Sequence, residues 1–387
     1  MNDHKILHLV IDLSGFGGAE MTLLRYLGAH PDAARRHKII AFRSLRKGAS
    51  VGERLHALGF DVETLGIERL SDGPRGLIRL YKLLSRSPAQ QLSAWLYYPA
   101  LLATLIRPFL KTKPHVIWHI RSLPYGEFRK KPLRWFAQRA LALLSSKPWV
   151  TIISNSTASR EAHADLGYNT SHWLVIPNAI DTALYCPNDE IRLLTRKMLH
   201  LHDHHFVVGT VGRDVPEKGL PDLFEAFGHL YHRASDREKD QLILVVIGRG
   251  ITLNTPRFAA LLHHHKIPEH AVRLLGARDD IPALLTIFDC FVMPSHSESF
   301  PNVLAEAMAA ERPCVSTTVG DCAIVLNDKD YLVPARAPQR LFATIEKIRT
   351  LSNEDRAILG EKNRDRVMTH YRPDMMIKLF DRIFGVS

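Results

Sequence analysis

The chain has 387 residues, 46% of them apolar and 24% charged, with a formal net charge of +11. That length allows two domains that each bury a core, and the composition is that of a soluble globular protein. The most apolar stretch, 92–106, is too short to cross a bilayer and is interrupted by Pro99, which excludes a spanning helix there.

The first residues, 1–6, are polar and charged and lack a secretory pattern, so the expected location is cytoplasmic. Residues 5–11 form a continuous β-rich apolar run, as a buried parallel strand does. The loop Ser14-Gly15-Phe16-Gly17-Gly18-Ala19-Glu20 follows, then a helical pattern over 19–27. Without a Cβ, Gly17 and Gly18 let a ligand approach the backbone closely, and a dinucleotide site is the other reading of such a loop. Strands are expected at 37–42, 61–65, 92–96, 115–120, 150–154 and 173–176, mostly separated by helices: the βαβ rhythm of a doubly wound sheet. Strand 115–120 ends in His119, Ile120 and Arg121, where His119 or Arg121 could orient an acceptor, although a histidine in an apolar strand is commonly a core residue.

Between 102 and 147 stand ten basic residues and one acid, Glu127, a net of +9. Within it, Arg129-Lys130-Lys131-Pro132-Leu133-Arg134-Trp135-Phe136 interleaves cations with aromatic and aliphatic groups. Such a segment suits an anionic membrane surface; a solvated basic helix face explains it equally, and no nucleic-acid-binding module is present.

After a connection at 177–188 the rhythm restarts, with strands expected at 206–211, 242–247, 272–275, 290–293 and 314–316 and closing helices at 338–351 and 373–384. Cys290 and Cys314 fall in these apolar runs and read as reduced core thiols. The first strand leads into Gly212-Arg213-Asp214-Val215-Pro216-Glu217-Lys218-Gly219. Two cations at a strand's carboxyl end suit a diphosphate, Arg213 as a planar fork and Lys218 as a mobile point charge; an ordinary basic surface loop is the plainer reading.

The strand at 290–293 runs into Ser295-His296-Ser297-Glu298-Ser299-Phe300-Pro301-Asn302-Val303-Leu304-Ala305-Glu306-Ala307-Met308-Ala309. Pro301 suits the first turn of a helix, whose N-terminus would present the N–H groups of Asn302, Val303 and Leu304 to an anion. Glu298 stands outside that end and Glu306 within the helix, an arrangement fitting an anionic centre flanked by hydroxyl groups, as in a nucleotide sugar. An amphipathic helix with a capping acid is the simpler alternative.

The E-x7-E element with Ala-Met-Ala after it resembles the donor motif of the retaining glycosyltransferases of family 4, with Ser299 in place of a usual glycine. V-G-R-x-x-x-x-K-G at 211–219, G-G-A-E at 17–20, Ser154-Asn155-Ser156 and Ile176-Pro177-Asn178-Ala179 are similar to the same family, Ala179 replacing glycine. The resemblance implies the α/β GT-B architecture: two Rossmann-like doubly wound domains facing a central cleft, with C-terminal helices. Residues 1–180 would bind the acceptor and 181–370 the donor, with a helix at 371–387 able to cross back to the first domain.

It further implies a hexosyltransferase acting on a saccharide or lipid-linked saccharide in cell-surface polysaccharide or lipopolysaccharide synthesis. The co-substrate would be a nucleoside diphosphate sugar, with no metal and no cofactor. Donor contacts would fall to Gly17, Gly18, Arg213, Lys218, Glu298, Ser299, Phe300, Pro301, Asn302, Val303 and Glu306, and acceptor contacts to His119 and Arg121. Catalysis would rest on Arg213, Lys218, Glu298 and His119. A non-catalytic nucleotide-sugar-binding scaffold is the competing class.

Overall fold

The computed structural model describes residues 5–15, 17–45, 50–124 and 132–385. The chain divides into two compact units, 1–178 together with 373–387, and 179–372. Arg129, Lys130 and Lys131 of the basic segment, with Glu127 and Phe16, lie outside the described residues.

In the first unit β1 (Ile6–Val10), β2 (His37–Ala41), β3 (Asp61–Thr64), β4 (Gln91–Trp95), β5 (His115–Ile120), β6 (Val150–Ser154) and β7 (Trp173–Val175) form one sheet. Its order is β3-β2-β1-β4-β5-β6-β7, and every pairing is parallel. The second unit holds β8 (Phe206–Val211), β9 (Leu242–Ile247), β10 (Val272–Leu274), β11 (Cys290–Met293), β12 (Cys314–Thr317) and β13 (Leu332–Val333), ordered β10-β9-β8-β11-β12-β13 and again parallel. Helices cover both faces of such sheets, so the central strands are largely apolar; β9, Leu-Ile-Leu-Val-Val-Ile, is buried at every position, whereas the edge strand β3, Asp-Val-Glu-Thr, is buried at none. Strand order reverses between β1 and β4 and between β8 and β11, which marks the switch point of each sheet.

The helix Pro373–Phe384 belongs to the first unit. Its Phe380 and Phe384 are buried, each with a ring 5.3 Å from Tyr26, and they also stack near His119. Asp381 pairs with His30 at 2.9 Å. In the second unit Cys290, Cys314 and Cys322 are free, buried thiols, and burial pushes Cys322 up to about 12.

Among the buried histidines of the first unit, His8, His119 and His163 are held in neutral form by burial. Trp95 Nε1 donates to His8 Nδ1 at 3.3 Å, so His8 carries its proton on Nε2, which faces His37 Nδ1 at 2.9 Å. His163 sits between Ser159 O and Tyr97 Oη, and burial pushes its pKa down to about 4. Burial holds His8 and His119 well below the ordinary value too. The unfolded chain takes up these protons below about pH 6.5 and the folded chain does not, so stability falls as pH drops through that value. At pH 5.5 each group should remove about 1 kcal/mol. Urea unfolding followed at pH 7.5 and 5.5 checks this; equal midpoints would show that the histidines titrate freely.

Candidate active site

At the switch point of the second unit, the loops after β8 and β11 are laced together. His296 N–H donates to Glu217 O at 2.7 Å, and His296 Nε2 meets Asp222 Oδ2 at 2.7 Å. Gly219 has φ +60°, and a Cβ there would stand 2.0 Å from Pro294 O, so only glycine lets the loops pass this closely. Behind them Gly248, at the end of β9, lies against Gly212; an added Cβ would stand 1.8 Å from its carbonyl oxygen.

This lacing brings Lys218 to Glu298. Nζ stands 2.6 Å from Oε1, and Ser295 Oγ donates to the same oxygen at 2.7 Å. Both charged groups are mostly buried, with side chains 20% and 11% exposed, which makes the pair stronger than a surface ion pair. Ser295 is itself placed by Thr317 Oγ1, which donates to Ser295 O at 2.7 Å. Arg213 is exposed on the same loop, with no ion pair among the described residues.

The helix after this loop spans Asn302–Ala309. Pro301 precedes it instead of forming its first turn, because at ψ 78° its backbone is not helical. Asn302 N–H is used by Phe300 O at 3.1 Å, so it is not one of the open donors expected at this end. Phe300 is 5% exposed and packs edge-on against Tyr371, 5.5 Å between centroids; its ring serves the core and offers no face to a donor. The backbone at Ser299 accepts from Asp321 N–H at 3.1 Å. Val303 and Glu306 are half-buried on the helix, with Glu306 inside it as the spacing requires.

In the first unit, Gly17 and Gly18 open the helix Gly18–Gly28 at the carboxyl end of β1. The Glu20 carboxylate folds back over this end, 2.3 Å from where a Cβ on Gly17 would lie, and burial raises its pKa. His119 is enclosed: Nε2 bonds Ser93 Oγ at 2.9 Å and the ring stacks on Trp95 at 3.9 Å. An imidazole with 0% exposure has no face open to a saccharide, so this geometry does not carry the acceptor and catalytic role expected for it. Arg121 follows β5, buried, with Nη2 donating to Asn178 Oδ1.

Ser295, His296, Asp222, Thr317 and Gly248 all shape this site without having been singled out in the sequence. Gly248, a glycine closing an apolar strand, had a legible signal; the His296–Asp222 pair, 74 positions apart, had none.

Residues 205–350 match the family model described as glycosyl transferases group 1. The chain is 26% identical over 258 residues to the Escherichia coli UDP-Gal:alpha-D-GlcNAc-diphosphoundecaprenol alpha-1,3-galactosyltransferase, covering 66% of this chain and 65% of that relative. It is 27% identical to the Staphylococcus aureus capsular polysaccharide biosynthesis glycosyltransferase CapM, over 72% of each chain. The solved Anabaena Alr3699/HepE complex with UDP superposes with a TM-score of 0.82 at 19% identity, covering 99% of this chain and all of that one. The two parallel doubly wound sheets thus have the GT-B fold of that solved neighbour, and the segment that carries the laced loops of the second sheet is the one similar to the group 1 glycosyltransferases.

Proposed function

We propose that the protein is a retaining glycosyltransferase that moves a hexose or hexosamine from a uridine diphosphate sugar onto a saccharide acceptor of cell-surface polysaccharide or lipopolysaccharide synthesis. The observation that carries this reading is the half-buried Lys218–Glu298 pair at the β8/β11 switch point, beside the N-terminus of the helix bearing Glu306. UDP is chosen because one relative is named for UDP-Gal and a neighbour of the same fold was solved with UDP.

In this reading Lys218, Arg213 and the helix N-terminus stabilise the negative charge that develops on the departing diphosphate. Glu298 accepts from hydroxyls of the transferred sugar, and Glu306 from the ribose. Attack comes from the face the leaving group vacates, and a departing phosphate oxygen takes the acceptor proton. The sugar then keeps its anomeric configuration. No metal enters this scheme, because the cations and the helix dipole fill that role.

The partner surface of this enzyme would be the membrane that carries its acceptor, the protein itself being cytoplasmic and peripheral. The helix Pro132–Leu144 leaves Leu133, Phe136 and Leu143 57%, 56% and 84% exposed, with Arg139 on the same side. Phe109, 72% exposed, and the exposed Lys111 and Lys113 lie in the segment before β5. Apolar groups among cations, with no described acid from 102 to 147, suit an anionic leaflet. Among the described residues no helix is long and apolar enough to cross a membrane. Vesicles rich in phosphatidylglycerol should sediment the protein, and the triple change Leu133→Asp, Phe136→Asp, Leu143→Asp should release it; equal binding by the variant would remove this face from the account.

The reaction is tested by incubating the protein with UDP-sugars and a lipid-linked saccharide fraction. UDP release and the proton coupling constant of the new glycosidic bond are then measured. Release that depends on the acceptor, with the donor's configuration kept, supports the proposal. Inversion would overturn the mechanism, and nucleotide binding without any release would favour a binding scaffold.

A further inference from the structure

The second unit holds a cavity of about 560 Å³ at the amino-terminal edge of its sheet, walled by Phe206 of β8, Leu242 of β9, Asp289 before β11 and Pro313 before β12. Its volume falls within the ~300–1,000 Å³ common to small-molecule sites. Lys218 and Glu298 stand on the loops after β8 and β11, at the carboxyl-terminal edge, so a ligand here is not the sugar donor.

Among the described residues four arginines line it, and two of them have counter-ions: Arg192 stands 2.6 Å from Asp289 and Arg349 3.0 Å from Glu238. Arg312 and Arg356 pair with no carboxylate among the described residues. Arg312 donates from Nε to Ala310 O and from Nη1 to Thr286 O and Phe288 O, which leaves Nη2 without a partner there. Arg356 donates from Nη1 to Arg349 O and Leu351 O and from Nη2 to Asn353 Oδ1, with its guanidinium 5.6 Å from the centre of the Phe206 ring. Both arginines are half-buried, so their guanidinium groups reach the cavity instead of being sealed behind it. A half-buried guanidinium without a counter-ion is costly, and a bound anion removes that cost. Crossover helices of a parallel sheet finish at this edge, but the helices Asp189–Met198 and Asn353–His370, before β8 and after β13, begin here and add their positive ends.

The acids on the wall narrow the ligand further. Asp289 and Glu238 are the counter-ions already named, and Glu311 stands 3.6 Å from Arg364. Asp189 and Asp203 are exposed and enter no ion pair among the described residues. Uncommitted cations inside and uncommitted carboxylates at the mouth suit a molecule that is anionic at one end and rich in hydroxyls at the other. We propose that this cavity binds a sugar phosphate, its phosphoryl group held by Arg312 and Arg356 and its hydroxyls donating to Asp189 and Asp203. Such a ligand is a third one for the protein, beside donor and acceptor.

The test is calorimetric titration of glucose 6-phosphate into the full chain, with UDP present in excess to occupy the donor loops. One site per chain is expected, about tenfold tighter than for inorganic phosphate, with glucose alone giving no heat. Arg312→Met and Arg356→Met should each weaken the sugar phosphate about tenfold or more, the worth of a charge-assisted contact. Asp203→Asn, at the exposed mouth, should weaken glucose 6-phosphate several-fold without weakening inorganic phosphate. No binding of glucose 6-phosphate by wild type, affinity no better than that of inorganic phosphate, or equal affinity in wild type and the arginine variants would overturn the proposal. Both arginines also hold backbone carbonyls; should their variants fail to fold, unchanged affinity of Asp203→Asn for glucose 6-phosphate would overturn it instead.

Discussion

Lys218→Ala should lower sugar transfer by about 10²–10³-fold while leaving the melting temperature within a few degrees of wild type. A positioned cation at a developing charge contributes on this scale, because in a half-buried site it acts with little screening and needs no reorganisation. Glu298→Gln probes the same pair from the other side and should separate two quantities that usually move together. In the free protein Glu298 holds Lys218 at 2.6 Å, and a diphosphate must compete for that ammonium. Neutralising Glu298 releases Lys218, so UDP should bind several-fold more tightly although transfer slows. Steady-state rates with UDP-sugar and equilibrium titration with UDP measure the two effects. Loss of UDP affinity in Glu298→Gln would mean that Glu298 organises the loop and does not restrain the lysine.

The largest loss of stability is expected at the opposite edge of the same sheet. Asp289, just before β11, accepts from Arg192 Nη2 at 2.6 Å, Arg196 Nη1 at 3.2 Å and Val207 N–H at 2.8 Å. It is thus the counter-ion for two arginines and ties the start of β8 to the start of β11, the strands whose loops build the site. Arg312 lies in the same field, its pKa drawn down to about 10 by burial. Asp289→Ala strands these charges and leaves the Val207 amide unpaired, a loss of about 3–5 kcal/mol for a broken buried pair. The carboxylate lines a cavity of about 560 Å³, where water can partly replace it, which favours the lower half of that range. Differential scanning calorimetry should show a fall of about 10 °C, with Asp289→Asn between the two. A loss below about 1 kcal/mol would mean that the arginines are solvated already.

The strands were legible because a parallel sheet covered on both faces writes itself as short, largely apolar runs rich in β-branched residues. Those at 115–120, 150–154, 206–211, 242–247 and 290–293 fall on β5, β6, β8, β9 and β11 without a shift. The two-residue β13 has too little sequence to stand out, and the helix Asn353–His370 buries only Leu359, Gly360, Asn363 and Val367 along a charged surface. Within the site, charges on one loop were readable, since Lys218 and Glu298 follow strands that had been placed. Which groups share a partner was not. Phe300 turning inward toward Tyr371 and His119 sealed behind Phe380 depend on residues far along the chain, and no local spacing encodes such contacts.

The claim on which the rest depends is that the helix Asn302–Ala309 and the loops before it bind a nucleoside diphosphate. Calorimetric titration of UDP into wild type, Lys218→Ala and Glu306→Ala, without added metal, tests it most directly. One site per chain is expected in wild type, at least tenfold weaker in each variant, with both variants folded. Binding of equal strength in all three proteins would place the nucleotide elsewhere and contradict it.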